Sequence, residues 1–92
     1  MIALTIELNL PGCHSLKDKR RRIKPLLNRL NRQFNVSTAE IDHNDRHSST
    51  VIACVVVSND SRHAQRVVAK IPGWIAKYRP DLQVIDEILT VL

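Results

Sequence analysis

The stretch IALTIELNLPGCHSLKDKRRRIKPLLNRLNRQ, residues 2–33, places a strand pattern directly before a helix pattern. From Ile2 to Leu10, apolar residues alternate with small or polar ones, which is typical of a strand with one buried face. Pro11-Gly12 is predicted to end this strand, because both residues favour turns. The chain therefore begins with a β-α unit.

A basic amphipathic helix is predicted to follow. Ser15 is a favourable N-cap, and Asp18 places an acid near the positive end of the helix dipole. The helix is expected to run to about Gln33 and to bend near Arg21, since Pro25 removes one backbone donor. Its apolar stripe consists of Leu16, Ile23, Leu27, Leu30 and Phe34.

The middle of the chain reads as two further strands. Val36 to His43 has mixed polarity, and a polar loop from Asn44 to Ser49 separates it from the next strand. Thr50 to Ser58 is rich in β-branched residues, as expected of a central strand with both faces partly covered.

The last third predicts one helix and one strand. Asn59, Asp60 or Ser61 can cap the helix, and Pro72-Gly73 should break or kink it. Its apolar stripe would be Ala64, Val67, Val68, Ile71, Ile75 and Tyr78. A final strand is expected from Leu82 to Val91.

The resulting order is β-α-β-β-α-β in one domain, residues 1–92. This order predicts an α+β ferredoxin-like sandwich, in which an antiparallel four-stranded sheet carries two helices on one face.

The positive charge is concentrated on the first helix. The chain has a net charge of +5, but residues 17–32 alone carry +7, which leaves −2 for the remainder. The eight basic residues are Lys17, Lys19, Arg20, Arg21, Arg22, Lys24, Arg29 and Arg32. At 100° per residue, six of them lie opposite the apolar stripe, whereas Lys19 and Arg20 flank it with their charged ends in solvent.

Clustered lysine and arginine bind phosphate backbones, so these eight residues are the predicted RNA phosphate contacts, with His14 at the edge of the patch. Alternatively, the charge only keeps a helix face solvated. None of the three aromatic residues, Phe34, Trp74 and Tyr78, lies on a predicted central strand. Base stacking on the sheet is therefore disfavoured, and recognition through shape and phosphates is expected.

The bulk composition favours a cytoplasmic protein. No apolar run approaches the length of a membrane span, and no signal peptide is recognised at the N-terminus. Cys13 and Cys54 belong to no CxxC pair, so both are interpreted as buried or incidental thiols.

Three segments match a known family: PGCHSLKDKR (residues 11–20), FNVSTAE (34–40) and VSND (57–60). With these segments, residues 1–90 resemble the YlxP-like family, small bacterial proteins of unknown function. The resemblance implies a ferredoxin-like fold. Because family genes tend to lie near those for translation initiation and ribosome maturation, it also implies a ribosomal or other RNA partner. It supplies no catalytic residues, and many members carry an aromatic residue where this chain has Arg46-His47-Ser48.

Metal binding and catalysis are both disfavoured. His43 and His47 would align as ligands only on a helix, whereas they lie at a strand end and turn, and no second ligand pair accompanies them. An acylphosphatase would need a Gly-Val-x-Phe-Arg run after the first strand, which is absent. No third group orients Cys13 beside His14 as a nucleophile.

The sequence therefore predicts a non-enzymatic protein without cofactor or metal that docks on structured RNA or a ribosomal subunit. The alternative is a dimeric protein-interaction or small-ligand-binding regulatory module. In that case a homodimer would form through the exposed sheet face, which carries Ala3, Thr5, Glu7 and Asn9.

Overall fold

A computed structural model describes residues 1–92 as four strands and three helices. In chain order these elements are β1 (Ile2–Asn9), α1 (Leu16–Phe34), β2 (Ser37–Asp42), β3 (Ser49–Val56), α2 (Ser61–Ala69), α3 (Ile71–Tyr78) and β4 (Gln83–Val91). The strands form one antiparallel sheet in the order β2-β3-β1-β4. The predicted α+β fold with a four-stranded antiparallel sheet is confirmed.

β1 lies in the interior of the sheet, where it pairs with both β3 and β4. Its residues alternate between buried and half-buried along the whole strand, as the period of two predicts. The buried set, Ile2, Leu4, Ile6 and Leu8, joins a single cluster of 17 buried apolar residues between the sheet and the helices. The opposite face of β1 is the open face of the sheet.

α1 continues through Pro25, so the prediction of a single helix is confirmed, whereas the bend near Arg21 stays a prediction. Ser15 caps it by accepting a hydrogen bond from the Asp18 N–H. The face that it buries differs from the predicted stripe, however. Ile23 and Leu30 are buried as expected, but Leu26 is buried too, whereas the predicted Leu16, Leu27 and Phe34 are only half-buried. α1 is thus rotated so that a row spaced four, three and four residues apart (Lys19, Ile23, Leu26, Leu30) meets the sheet.

The predicted second helix is in fact two helices, and the break precedes the predicted one at Pro72-Gly73. α2 ends at Ala69, and the N–H of the capping residue Lys70 donates to the carbonyls of Val67 and Val68. Pro72 lies in the first turn of α3, where a missing N–H costs nothing because no helical acceptor would be available. Pro72 therefore starts a helix instead of interrupting one.

β4 forms one edge of the sheet. Several of its apolar side chains are exposed, namely Ile85, Ile88, Leu89 and Val91. No helix of this protein is both long enough and apolar enough to cross a membrane.

Candidate functional site

A groove with a volume of about 670 Å³ runs between α1 and α3. It is lined by two kinds of side chain that recognise different parts of a ligand. Five are cationic: Arg21, Lys24, Arg29, Arg32 and Arg79. Two are aromatic, Trp74 and Tyr78, and no acidic residue lines the groove. It will be called the α1–α3 groove.

Three of the cations in the α1–α3 groove have no partner within the protein. Lys24, Arg29 and Arg32 are exposed, and none of them forms an ion pair or a side-chain hydrogen bond. The reason is compositional, because Asp18 is the sole acid on α1. These three charges are therefore balanced by solvent and mobile ions alone.

Arg21 is paired but still accessible. Its guanidinium lies 2.7 Å from the Asp18 carboxylate one helical turn away, and its side chain is 80% exposed. The hydrogen bond from Arg21 is the main cause that lowers the pKa of Asp18 below its usual value, and the charges of Arg21 and Arg22 act in the same direction. An exposed pair of this type is weak, so Arg21 can exchange Asp18 for another anion at little cost.

Arg22 does not belong to the free basic face, contrary to the prediction. Its guanidinium donates to the Pro11 carbonyl at 3.0 Å and to the Asp81 carbonyl at 2.6 Å, and the side chain is 17% exposed. Arg22 thus connects the start of α1 to the turn before β4. The two residues are 59 apart in sequence, so the periodicity of α1 could not predict this contact.

Lys19 was predicted to flank the apolar stripe with its charged end in solvent, and this prediction is wrong. The side chain is 2% exposed, and its Nζ lies 2.7 Å from the Glu40 carboxylate. The same Nζ donates to the carbonyls of His43, Arg46 and Ser49, at 2.8, 2.7 and 3.2 Å. Lys19 therefore fixes the β2–β3 connection to α1, and it is not available to a phosphate.

The remaining predicted cations are exposed but lie outside the groove. Neither Lys17 nor Arg20 lines it, and neither forms an ion pair. His14, the predicted edge of the patch, is exposed in the turn before α1. Lys17 and Arg20 extend the positive surface beyond the groove without shaping it.

Arg79 is a groove residue that the sequence analysis missed. Its Nε and Nη2 donate to the two carboxylate oxygens of Asp81, both at 3.1 Å, and Nη2 also donates to the Arg22 carbonyl at 3.0 Å. This bidentate hydrogen bond is the largest cause that lowers the pKa of Asp81. The network holds Arg79 against α1, so the positive lining of the groove continues onto the α3 side.

The aromatic residues form a continuous cluster beside these cations. The Phe34 and Trp74 rings pack edge to face with centroids 5.8 Å apart, and the Trp74 and Tyr78 rings lie 5.2 Å apart with a tilt of 36°. Lys77 Nζ lies 5.4 Å from the Tyr78 ring centre. Trp74 and Tyr78 are four residues apart on α3, a spacing that places them on one face of a helix. That spacing was the available signal, but which face meets α1 depends on tertiary packing.

The open sheet face has the opposite charge. Glu7 on β1 and Asp86 on β4 are directly paired across the sheet. Together with Glu87 they line a shallow depression that contains no basic residue. Phosphate groups would be repelled there, so the two faces of the protein differ in the ligands that they can attract.

The histidine turn is tied together internally. His43 Nδ1 hydrogen-bonds with Ser49 Oγ at 3.1 Å, and His47 Nδ1 hydrogen-bonds with the Cys13 carbonyl at 2.9 Å. The two imidazoles thus have separate partners, and the protein has no group of three His, Cys, Asp or Glu side chains placed to hold a metal ion. Both cysteines are free and buried, as predicted.

The family of the chain follows from comparison with family models. The model described as "Protein of unknown function (DUF503)" matches residues 1–88, which is nearly the whole chain. A search of curated proteins finds no match. The matched region contains β1, all three helices and the α1–α3 groove. The chain therefore belongs to the DUF503 family.

Proposed function

We propose that this protein acts without catalysis by docking on structured RNA, with ribosomal RNA or a ribosomal subunit as the first candidate. The docking surface would be the exposed side of α1 together with α3. Lys24, Arg29 and Arg32 would supply the central phosphate contacts, with Arg21 and Arg79 beside them. Lys17 and Arg20 would extend the contact along α1.

The observation that carries this proposal is the absence of acidic partners for Lys24, Arg29 and Arg32 in a groove that contains no acid. Cations that are already paired lose one partner when they gain a phosphate, so they contribute little. Unpaired cations lose only water, and the RNA releases its condensed counterions, which favours binding entropically. Arginine also offers two parallel donors to a phosphate.

The proposal includes three finer assignments. The fold would be a ferredoxin-like sandwich whose second helix is split into α2 and α3; the strand order and the position of the helices after β1 and β3 support this. The chain would belong to the YlxP-like branch, on the strength of residues 11–20 and 34–40. Its compartment would be the cytoplasm, where ribosomal RNA is found.

The test compares two variants with the same charge change. Lys24→Gln/Arg29→Gln/Arg32→Gln removes the unpaired groove cations. Arg62→Gln/Arg66→Gln/Lys70→Gln removes three exposed cations from α2 and its end, where no ion pair is lost either. Binding is measured to purified ribosomal subunits and to protein-free ribosomal RNA. We expect the groove variant to lose both interactions and the α2 variant to keep them. Equal binding by both variants would refute this docking surface.

A second candidate function rests on β4. Its exposed Ile88 and Val91 lie on an edge strand, and apolar edge strands favour pairing with another chain. Two copies of the chain could pair through β4 as a homodimeric interaction module, which would leave the α1–α3 groove free. Analytical ultracentrifugation distinguishes the two cases: a dimer that dissociates in an Ile88→Lys variant supports this candidate, and a monomer at all concentrations refutes it.

A further inference from the structure

We infer that the α1–α3 groove receives an unpaired nucleotide of single-stranded RNA, with its base stacked on Tyr78 beside Trp74 and its flanking phosphates on Arg29 and Arg32. This inference rests on the proposed function and narrows it. It replaces the expectation that RNA is recognised through phosphates and shape alone. It also moves base stacking from the sheet, where the sequence analysis looked for it, to the helical face.

The first support is the exposure of Tyr78. The residue is 55% exposed although its ring belongs to a cluster of three aromatic rings. Phe34 and Trp74 are only half-buried and pack against the core. The cluster thus continues from the core to the surface, where Tyr78 is its most exposed ring. Lys77 Nζ lies 5.4 Å from the centre of that ring, so a stacked base would displace this exposed, flexible side chain. A base that stacks there covers apolar surface that is otherwise in contact with water.

The second support is the rigidity of this platform. The edge-to-face contact with Phe34 restricts the Trp74 ring, and Trp74 in turn packs against Tyr78. α1 carries Phe34 at its end, so both helices contribute to the cluster. A ring that is already oriented loses little conformational entropy when a base stacks on it.

The third support is the combination of rings and cations in one groove. Proteins that bind single strands pair a positively charged groove with aromatic side chains, because every base has a flat π face and every nucleotide has a phosphate. In a duplex the bases stack on each other and are not open to a side chain. A duplex would therefore use the cations of the α1–α3 groove and leave its rings unused.

The size of the groove is compatible with this ligand. Its volume of about 670 Å³ lies within the range of roughly 300–1,000 Å³ that is typical of small-ligand sites. Asn28 is the one side-chain amide in the lining. Weak preference among bases is expected, since stacking tolerates all of them.

The chain offers a direct reporter for this contact, because Trp74 is its one tryptophan and lines the groove. Tryptophan fluorescence is followed during titration with four polymeric probes and one mononucleotide. The polymers are a single-stranded RNA of about eight nucleotides, the blunt duplex of the same sequence, an abasic ribose-phosphate strand of equal length, and poly-glutamate. A nucleoside monophosphate tests whether a free nucleotide suffices.

We expect the single strand to quench Trp74 and to bind more tightly than the abasic strand, the duplex or the monophosphate. Tyr78→Leu should weaken binding of the single strand by about tenfold, while binding of the duplex and of the abasic strand should change by less than about twofold. Tyr78→Phe keeps the ring and should bind like the native protein. Because Tyr78 is largely exposed, both variants are expected to fold, which circular dichroism checks.

Several results would overturn the inference. If the base-bearing and abasic strands bind equally, or Tyr78→Leu binds the single strand like native protein, RNA is held by its phosphates alone and the proposed function stands without the stacking contact. Preference for the monophosphate would indicate a small-ligand site. Quenching by poly-glutamate with equal affinity would indicate an acidic protein partner. If no RNA binds, duplex included, the inference and the proposed function fail together.

Discussion

The Nζ of Lys19 lies 2.7 Å from the Glu40 carboxylate, buried beneath the most basic segment of the chain. Three backbone carbonyls of the β2–β3 connection complete its surroundings. The Thr50 hydroxyl donates to the same carboxylate. One of the eight predicted phosphate contacts is therefore a structural residue that joins α1 to the sheet.

Lys19→Met is expected to lower the free energy of unfolding by about 3 kcal/mol, because it leaves a half-buried carboxylate without its countercharge and several carbonyls without their donor. Urea denaturation followed by circular dichroism measures this change. Lys17→Met is the matched control, since Lys17 is exposed and unpaired, and it should change stability by less than about 0.5 kcal/mol. Similar losses in both variants would contradict the structural role of Lys19.

Asp81 is expected to make stability depend on pH in the acid range. Its pKa is lowered in the folded protein, first by the hydrogen bond from Arg79. The folded state therefore favours the ionised carboxylate. This stabilisation is complete above the unfolded pKa of about 4 and is lost as the pH falls through the lower folded value.

Asp81→Asn isolates this contribution. At neutral pH the variant should be less stable than native protein by no more than about 1 kcal/mol, since the carboxylate is 44% exposed and screened by solvent. The difference should shrink as the pH falls below the unfolded pKa of about 4 and through the lower folded pKa, where the native carboxyl also becomes protonated. Urea unfolding across this pH range gives the measurement. If the difference in unfolding free energy between native protein and Asp81→Asn stays constant or grows on acidification, Arg79 does not stabilise the ionised form of Asp81.

Cys54 should be chemically silent in the folded protein. Burial raises the pKa of its thiol to about 12, so the reactive thiolate is nearly absent at neutral pH. In a Cys13→Ser variant, reaction of the remaining thiol with a disulfide reagent should be slow in buffer and complete in urea. Rapid, stoichiometric reaction without urea would show that Cys54 is accessible, contrary to its position on β3.

The features that sequence predicted well are local ones. The alternation along β1 fixed its buried face because side chains of a strand point to opposite sides with a period of two. Ser15 was recognisable as a helix cap, and Asp60 as one of three candidates, because a cap is a short-range hydrogen bond. The positive charge of α1 was equally visible, since it is a matter of composition.

The features that sequence missed depend on contacts between distant segments. Lys19 and Arg20 look alike on a helical wheel, yet one is buried under β2 and the other is exposed. Arg22 reaches a turn 59 residues away. Trp74 and Tyr78 lie beside the cations of α1 in one groove. They belong to α3, a separate helix that starts at Ile71, whereas the sequence predicted one helix with a break or kink at Pro72-Gly73. The periodicity of apolar residues within one helix does not show which face of another helix it packs against.

The dependence of RNA affinity on salt tests the central claim most directly. For single-stranded RNA, each phosphate contact adds about 0.7 to the slope of log affinity against log salt concentration. Removing Lys24, Arg29 and Arg32 should therefore make the native slope less steep by about 2, and the α2 variant should retain the native slope. Native slopes in both variants, or no RNA binding by native protein at low salt, would contradict the account, and the basic face of α1 would then be a solvated surface.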